Sequence, residues 1–383
     1  MKLRLLLFLA ASSAVLGIVG RADPARRPKY GGTLRVEIGA VVNSPDPAVA
    51  AANPEEAAAK ERISALLYER RNADGTFAGV AGSGPFRLAE WDPGKHATLA
   101  ANPEFRGGRA FLDSIEIQMG RAARDRLLDL EVDKADFAEI PPEEARRATE
   151  RGVRVSTSQP DELLAIAFVA GRPIAEDARA REALSRSIDR AAIVNFILQK
   201  EGEAAGGLLP QWSSGTAFLF STTVDPAGAK SLWSQISGSP KIVLGYDASD
   251  SLAQSVAERI VVNARDAGIS VTAEGTPAGA NAPADCDARI VRLPMAAPHP
   301  AMALTHFLAA LGPGSGIDAT PLADGASPQQ IYDRERAIVS GYRVVPIVWL
   351  PQVYGLGARV RDWKAPAAGE GWPFADVWIG DAQ

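Results

Sequence analysis

The 383-residue sequence contains one cysteine, Cys286, so no disulfide can close within the chain and its stability must come from apolar burial. Histidine is nearly as scarce. His96, His299 and His306 are too scattered for a metal cluster, since Pro300 follows His299 directly and no third ligand lies near, and Asp285-Cys286-Asp287 reads as the end of a loop before a strand. No block of Lys or Arg occurs and the net charge is −5, which excludes an electrostatic nucleic-acid surface. Catalytic signatures are missing too: no G-x-S-x-G, no H-E-x-x-H, no P-loop and no G-x-G-x-x-G after a strand. Gly312-Pro313-Gly314-Ser315-Gly316 has neither the spacing nor the preceding strand of a phosphate cradle. No cofactor or metal is expected, and a secreted hydrolase is only a remote alternative. Long apolar runs are absent beyond the N-terminus. There, Lys2 and Arg4 precede Leu5 to Val19 and the small residues Gly20 and Ala22, the layout of a signal peptide over residues 1–22. An uncleaved anchor is the competing reading, but the run is short for a bilayer.

What remains is a globular composition, 46% apolar and 23% charged, on a chain long enough for two separately cored domains. The 35 glycines and 27 prolines favour many short elements joined by turns. One stretch organises the rest. From Gly82-Ser83-Gly84-Pro85, Phe86 and Leu88 alternate with Arg87 and Glu90 as in a half-buried strand, and Asp92-Pro93-Gly94 turns the chain. Ala97, Leu99 and Ala101 then make a second strand, and Leu112, Ile115, Ile117 and Met119 a third. Upstream, Thr33 to Val36 predicts a strand and Pro54 to Tyr68 an amphipathic helix. Downstream, the residues predict a helix over Arg121 to Leu130, strands at Phe137 to Ile140 and at Val153 and Val155, and a doubly buried strand at Leu163 to Ala170. Asp189 is placed to cap a helix starting at Arg190. Lys241 to Tyr246, a stripe of Leu252, Val256, Ile260 and Ala264, and Ile269 to Thr272 predict a strand-helix-strand unit with parallel pairing. Ile290 to Leu293, a helix over Gln329 to Ser340, and Val344 to Leu350 complete the pattern.

Glycine-flanked Pro85-Phe86-Arg87, Trp91 before Pro93-Gly94, Asn102-Pro103-Glu104-Phe105, Gly107-Gly108-Arg109 and Leu112-Asp113 with Ile115 and Ile117 resemble the family 5 extracellular solute-binding proteins, the dipeptide, oligopeptide and nickel receptors of bacterial ABC importers. Gly31-Gly32-Thr33-Leu34-Arg35-Val36, Ser44-Pro45-Asp46-Pro47, the helix pair from Pro173 to Leu198, and Val345-Pro346-Ile347-Val348-Trp349-Leu350 match the same family in the same order. The resemblance covers nearly all of Tyr30 to Lys364. It implies an α/β, type II periplasmic binding protein of the Venus-flytrap kind, with mixed sheets and a hinge cleft: residues 30–170 and 346–383 as lobe I, residues 171–345 as lobe II. It implies a monomer, free in the periplasm because Cys286 is far from the N-terminus, that captures a small solute, peptide-like or other, for an ABC permease in the inner membrane and catalyses nothing. A sensor or accessory module that no longer serves transport is the alternative, because only Glu69 to Ala81 stand where the family inserts a small subdomain.

Candidate ligand contacts follow from the cleft so implied. Trp212, Trp349 and Tyr354 offer aromatic area at little conformational cost. Where the family's reading segment in lobe II carries a Trp and an acidic-aromatic-proline-acidic-proline run, this chain has Arg292-Leu293-Pro294-Met295-Ala296-Ala297-Pro298-His299-Pro300. Arg292, Met295 and His299 are therefore candidates, and with both acids gone the expectation is a neutral or anionic ligand rather than the amine of a peptide.

Overall fold

The computed structural model describes residues 27–71, 77–78, 81–214, 220–277, 286–323 and 325–381; residues 1–22, expected from the sequence to be a signal peptide, lie outside them. Thr33–Glu37 (β1) runs parallel to both Ser114–Gln118 (β6) and Phe137–Ile140 (β7). Phe86–Asp92 (β4) and His96–Ala101 (β5) form the hairpin, turned at Gly94 with φ +73°, a backbone angle that glycine adopts without strain. The helix Pro54–Leu67 is capped by Asn53, whose side chain accepts from Glu56 N, and begins at a proline, where the missing N–H costs nothing. Arg70–Arg71 (β2) and Phe77–Ala78 (β3) pair as a minimal ribbon in the short connection after it.

Two long strands carry the chain between the halves. Arg154–Phe168 (β8) joins what the sequence reads as two separate strands into one of 15 residues, and Val344–Leu356 (β13) extends six residues beyond the predicted Leu350. They lie antiparallel along their whole length, with Glu203–Ala204 (β9) paired to β13. Ile242–Asp247 (β10) is parallel to Val271–Thr276 (β11) and to Ala288–Pro294 (β12), so the predicted parallel unit is present. One 11-stranded sheet results, in the order β11-β10-β12-β8-β13-β7-β1-β6-β5-β4 with β9 on the side of β13. Val360–Arg361 (β14) and Trp378–Ile379 (β15) close the C-terminal segment.

The first part of β8 and the last part of β13 pair beside β7; their other parts pair beside β12. Between these parts Pro160 faces Pro351, and the register slips on both sides of Pro351. Proline has no N–H to give a ladder, so two donors are lost at one point and the sheet bends there. Beyond it β8 is buried on both faces: Leu164, Ile166 and Phe168 pack with the helices Ala178–Ser187 and Ser251–Asp266, and Leu163, Ala165 and Ala167 with Pro300–Leu311 and Pro328–Ser340. On the other side of the bend Leu34, Val36, Ile115, Ile117 and Phe137 fill a separate core. Asp189 caps its helix as expected, accepting from Ala192 N at 2.8 Å, and Cys286 is a buried thiol.

Candidate functional site

Strand direction decides where a solute can enter. β7 runs parallel to β8 and β12 antiparallel to it, so the carboxyl ends of the first half's strands point toward the second half and those of the second half point back. Ligands of open α/β sheets sit beyond such ends. Here two sets face each other across the bend. After β1 comes Gly39, after β7 the turn Pro142–Glu144, after β10 Asp250, and near the end of β12 Arg292.

Arg126, on the helix Ala123–Glu131, enters from the first half. A Cβ at position 39 would lie 3.1 Å from its Nη2, so the glycine makes room for the guanidinium. Only 8% of Arg126 is exposed, yet its side chain forms no hydrogen bond or ion pair among the described residues, and its Nε is buried without an acceptor. Burial pulls its guanidinium below its ordinary value, while the charges of Glu139, Glu55 and Glu37 push back. Glu55 and Glu37 are near enough to act on it, and with Glu143 elsewhere in the gap they are carboxyl groups held above their ordinary values. Glu55 is exposed at its surface, yet the protein crowding its carboxyl raises it, Glu139 raises it further, and Arg126 and Arg292 lower it. Burial raises Glu143, whose Oε2 is sequestered without a partner. Burial and then Asp129 raise Glu37. Glu55 and Glu143 belong to the first half and both sense Arg292 and Asp250 of the second, so the halves stand close across the gap.

At the bend, Arg62 pairs with Glu139, donates through Nη2 to Gln352 Oε1 at 3.2 Å and lies 5.9 Å over Trp372. Gln352 Nε2 reaches Asp161 Oδ1 at 3.4 Å. Burial, then the charge of Glu162, pushes the Asp161 carboxyl up to about 7 against the pull of Arg62.

The residues singled out in the sequence fall in different places. Arg292 does reach the gap, but it is saturated: Nε and Nη2 donate to the two oxygens of Asp250 at 2.5 and 3.0 Å, and Nη1 to Glu162 at 2.7 Å. Burial alone would lower its pKa; Glu162 and Asp250 raise it well above the ordinary range. Trp212 sits at the bend, 37% exposed, with Nε1 donating to Pro160 O at 2.9 Å. Its loop is held by Glu335, whose Oε1 accepts from Leu208 N and Leu209 N at 2.5 and 2.9 Å. His299 is exposed at the start of Pro300–Leu311. Met295 is buried, with its N donating to Asp161 O at 2.7 Å. Trp349, 3% exposed, packs 6.1 Å from Phe307, and Tyr354, 1% exposed, packs 5.3 Å from Phe137. Arg126, Glu55, Glu143 and Arg62 escape the sequence reading because charged residues in helices and turns look like solvated faces until the sheet assembles them, and Asp161 and Gln352 escape it because no motif marks them on the crossing strands. A cavity of about 500 Å³ also opens between Pro45, Leu67, Tyr68, Gly82 and Leu88. Its charged groups are already engaged, Asp46 by Ala48 N and Arg87 by Glu104.

Comparison with known proteins matches residues 36–310 to the model of the bacterial extracellular solute-binding proteins, family 5 middle. The chain belongs to this family. Family 5 members are binding proteins. The oligopeptide-binding protein AppA of Bacillus subtilis is 27% identical over 125 residues, 32% of this chain but only 23% of AppA. The solved structure of the ABC transporter substrate-binding protein CtaP of Listeria monocytogenes superposes with a TM-score of 0.74 at 15% identity, covering 92% of this family 5 chain and 100% of CtaP. Helicobacter pylori DppA, in complex with the peptide STSA, gives 0.73 at 14%, covering 92% and 99%. These two likenesses show the two-lobed α/β fold of periplasmic binding proteins.

Proposed function

We propose that this protein is the exported, periplasmic solute receptor of an ABC importer, capturing a small zwitterionic, peptide-like solute between its lobes and handing it to the membrane permease without catalysis. Lobe I takes residues 30–160 and 351–383 and lobe II residues 161–350, with the exchange at the facing prolines. The observation that carries the reading is Arg126, a buried cation without a partner in a gap where Arg292 and Arg62 are already neutralised. A buried cation with no hydrogen-bonded counter-ion is costly even with Glu139, Glu55 and Glu37 acting on it from a distance, and a solute carboxylate arriving there regains part of that cost as binding energy. Glu55 and Glu143 supply acceptors for an amine. The expectation of an amine-blind site rested on acids missing from positions 292–300; this chain brings acids to the cleft from other elements.

The test is a thermal-shift and titration panel of dipeptides, oligopeptides, sugars, dicarboxylates and nickel chelates. A dipeptide at a hundred times its Kd should stabilise the fold by about 2.7 kcal/mol. The N-acetylated and the C-amidated forms should each bind more weakly than the free zwitterion. Equal binding of the amidated form would remove Arg126 from the reading. Silence across the panel would favour the accessory module, which the short connection Glu69 to Ala81 also supports.

A further inference from the structure

Asp161 is the first residue after Pro160 at the bend, and both of its polar ends are tied to moving parts. Its carbonyl accepts from Met295 N of lobe II, and its side chain meets Gln352 on the other crossing strand only through the 3.4 Å contact. The charged and titratable groups facing it come from every element packed there: Glu162 on its own strand, Tyr354 on β13, and Arg62 on the helix Pro54–Leu67. None supplies a free cation. Arg62 is engaged by Glu139 and Gln352, and Arg292, beyond Glu162, by Asp250 and Glu162. A carboxylate so placed loses water as the lobes approach and gains no ion pair in return. Opening the bend restores the water.

We propose that lobe closure is proton-linked through the hinge: the closed arrangement takes up a proton on Asp161 and the open one releases it. This rests on the receptor reading for the motion itself but not for the ligand. Burial and Glu162 push Asp161 up to about 7 in this structure, whereas a hydrated carboxyl titrates near about 3.9. The sign follows. Protonation favours closure; the advantage is full below the open-state value and is lost as pH rises through about 7. One proton changes the closed-to-open ratio by at most about tenfold per pH unit in that window.

The experiment is small-angle scattering of the ligand-free protein between about pH 5.5 and 8.5, with circular dichroism to confirm that it stays folded. The radius of gyration should grow as pH rises through about 7. Asp161→Asn, whose amide mimics the neutral carboxyl, should remain compact across the range. Glu162→Gln, which removes the neighbouring negative charge, should move the midpoint to lower pH and provides the check if the first variant fails to fold. A radius independent of pH, or a midpoint unchanged in Asp161→Asn, would overturn the proposal. Because no ligand is added, failure of the solute panel and failure of the proton linkage are separate results.

Discussion

Arg126 and Arg292 show how little a residue's type says about its use. Arg292 stands in the segment where family resemblance puts ligand contacts, yet Asp250 and Glu162 leave it no charge to offer. Arg126 stands in a helix of mixed charge, ARDRLLDLE, where a solvated face is the ordinary reading, yet it is a buried cation that no side chain pairs with among the described residues. Its removal therefore separates binding from stability. Arg126→Met should weaken solute binding by about ten- to a hundredfold, about 1.4–2.7 kcal/mol, because the carboxylate loses its counter-charge. The same change should leave the melting temperature equal or higher, because an apolar side chain replaces an unpaired buried charge. Calorimetric titration beside thermal denaturation measures both, and a fall in stability with unchanged affinity would make Arg126 a structural residue.

Among the elements, the crossing strands and the C-terminal segment carry the greatest mechanical burden. Asp136, just before β7, is buried and clamped by Arg35 from β1, at 2.7 Å to Nε, and by Arg359 from the segment after β13, at 2.9 Å. Burial would raise its carboxyl, but the bonds from Arg35 and Arg359 prevail and hold it below its ordinary value. The stabilisation is therefore present at neutral pH and is lost as pH falls through the folded-state value. Asp136→Asn should cost about 2–3 kcal/mol at pH 7, and the deficit should begin to shrink as pH falls below about 4, as urea denaturation at a series of acid pH values would show. The crossing itself was only half legible. The apolar runs at Leu163 and Val344 announced buried strands, but Pro160 and Pro351 read as strand ends, since each lacks a donor in isolation. Only their pairing turns two apparent ends into one bend within continuous strands.

For the whole molecule, four apolar clusters flank the sheet, two on each side of the facing prolines, and on the receptor reading the two sets move as lobes about them. Solute capture should then reduce the radius of gyration measured by small-angle scattering, and by more for a zwitterion engaging Arg126 and the carboxylates than for a non-binding sugar. A solute that stabilises the fold without compaction would place binding on one lobe instead of between them. The position of the aromatic residues follows from the same geometry. Trp349 and Tyr354 lie on β13, whose faces are covered by one core or the other, so their area serves cohesion. Trp212, in a loop beside the bend, keeps a third of its surface open.

By itself, the sequence determined the classes of element, the hairpin at Gly94, the parallel unit of the second lobe, the buried cysteine and the family, because periodicity, turn chemistry and motif order are local properties of the chain. Tertiary structure alone decided which charges meet. The cleft draws Arg126, Glu55, Glu143, Asp161 and Arg292 from five separate elements, and whether each is paired or desolvated depends on distances across the gap that no local pattern encodes. A charge costs nothing in water and much in a closed cleft, so the same residues change from inert to functional only when the sheet brings them together.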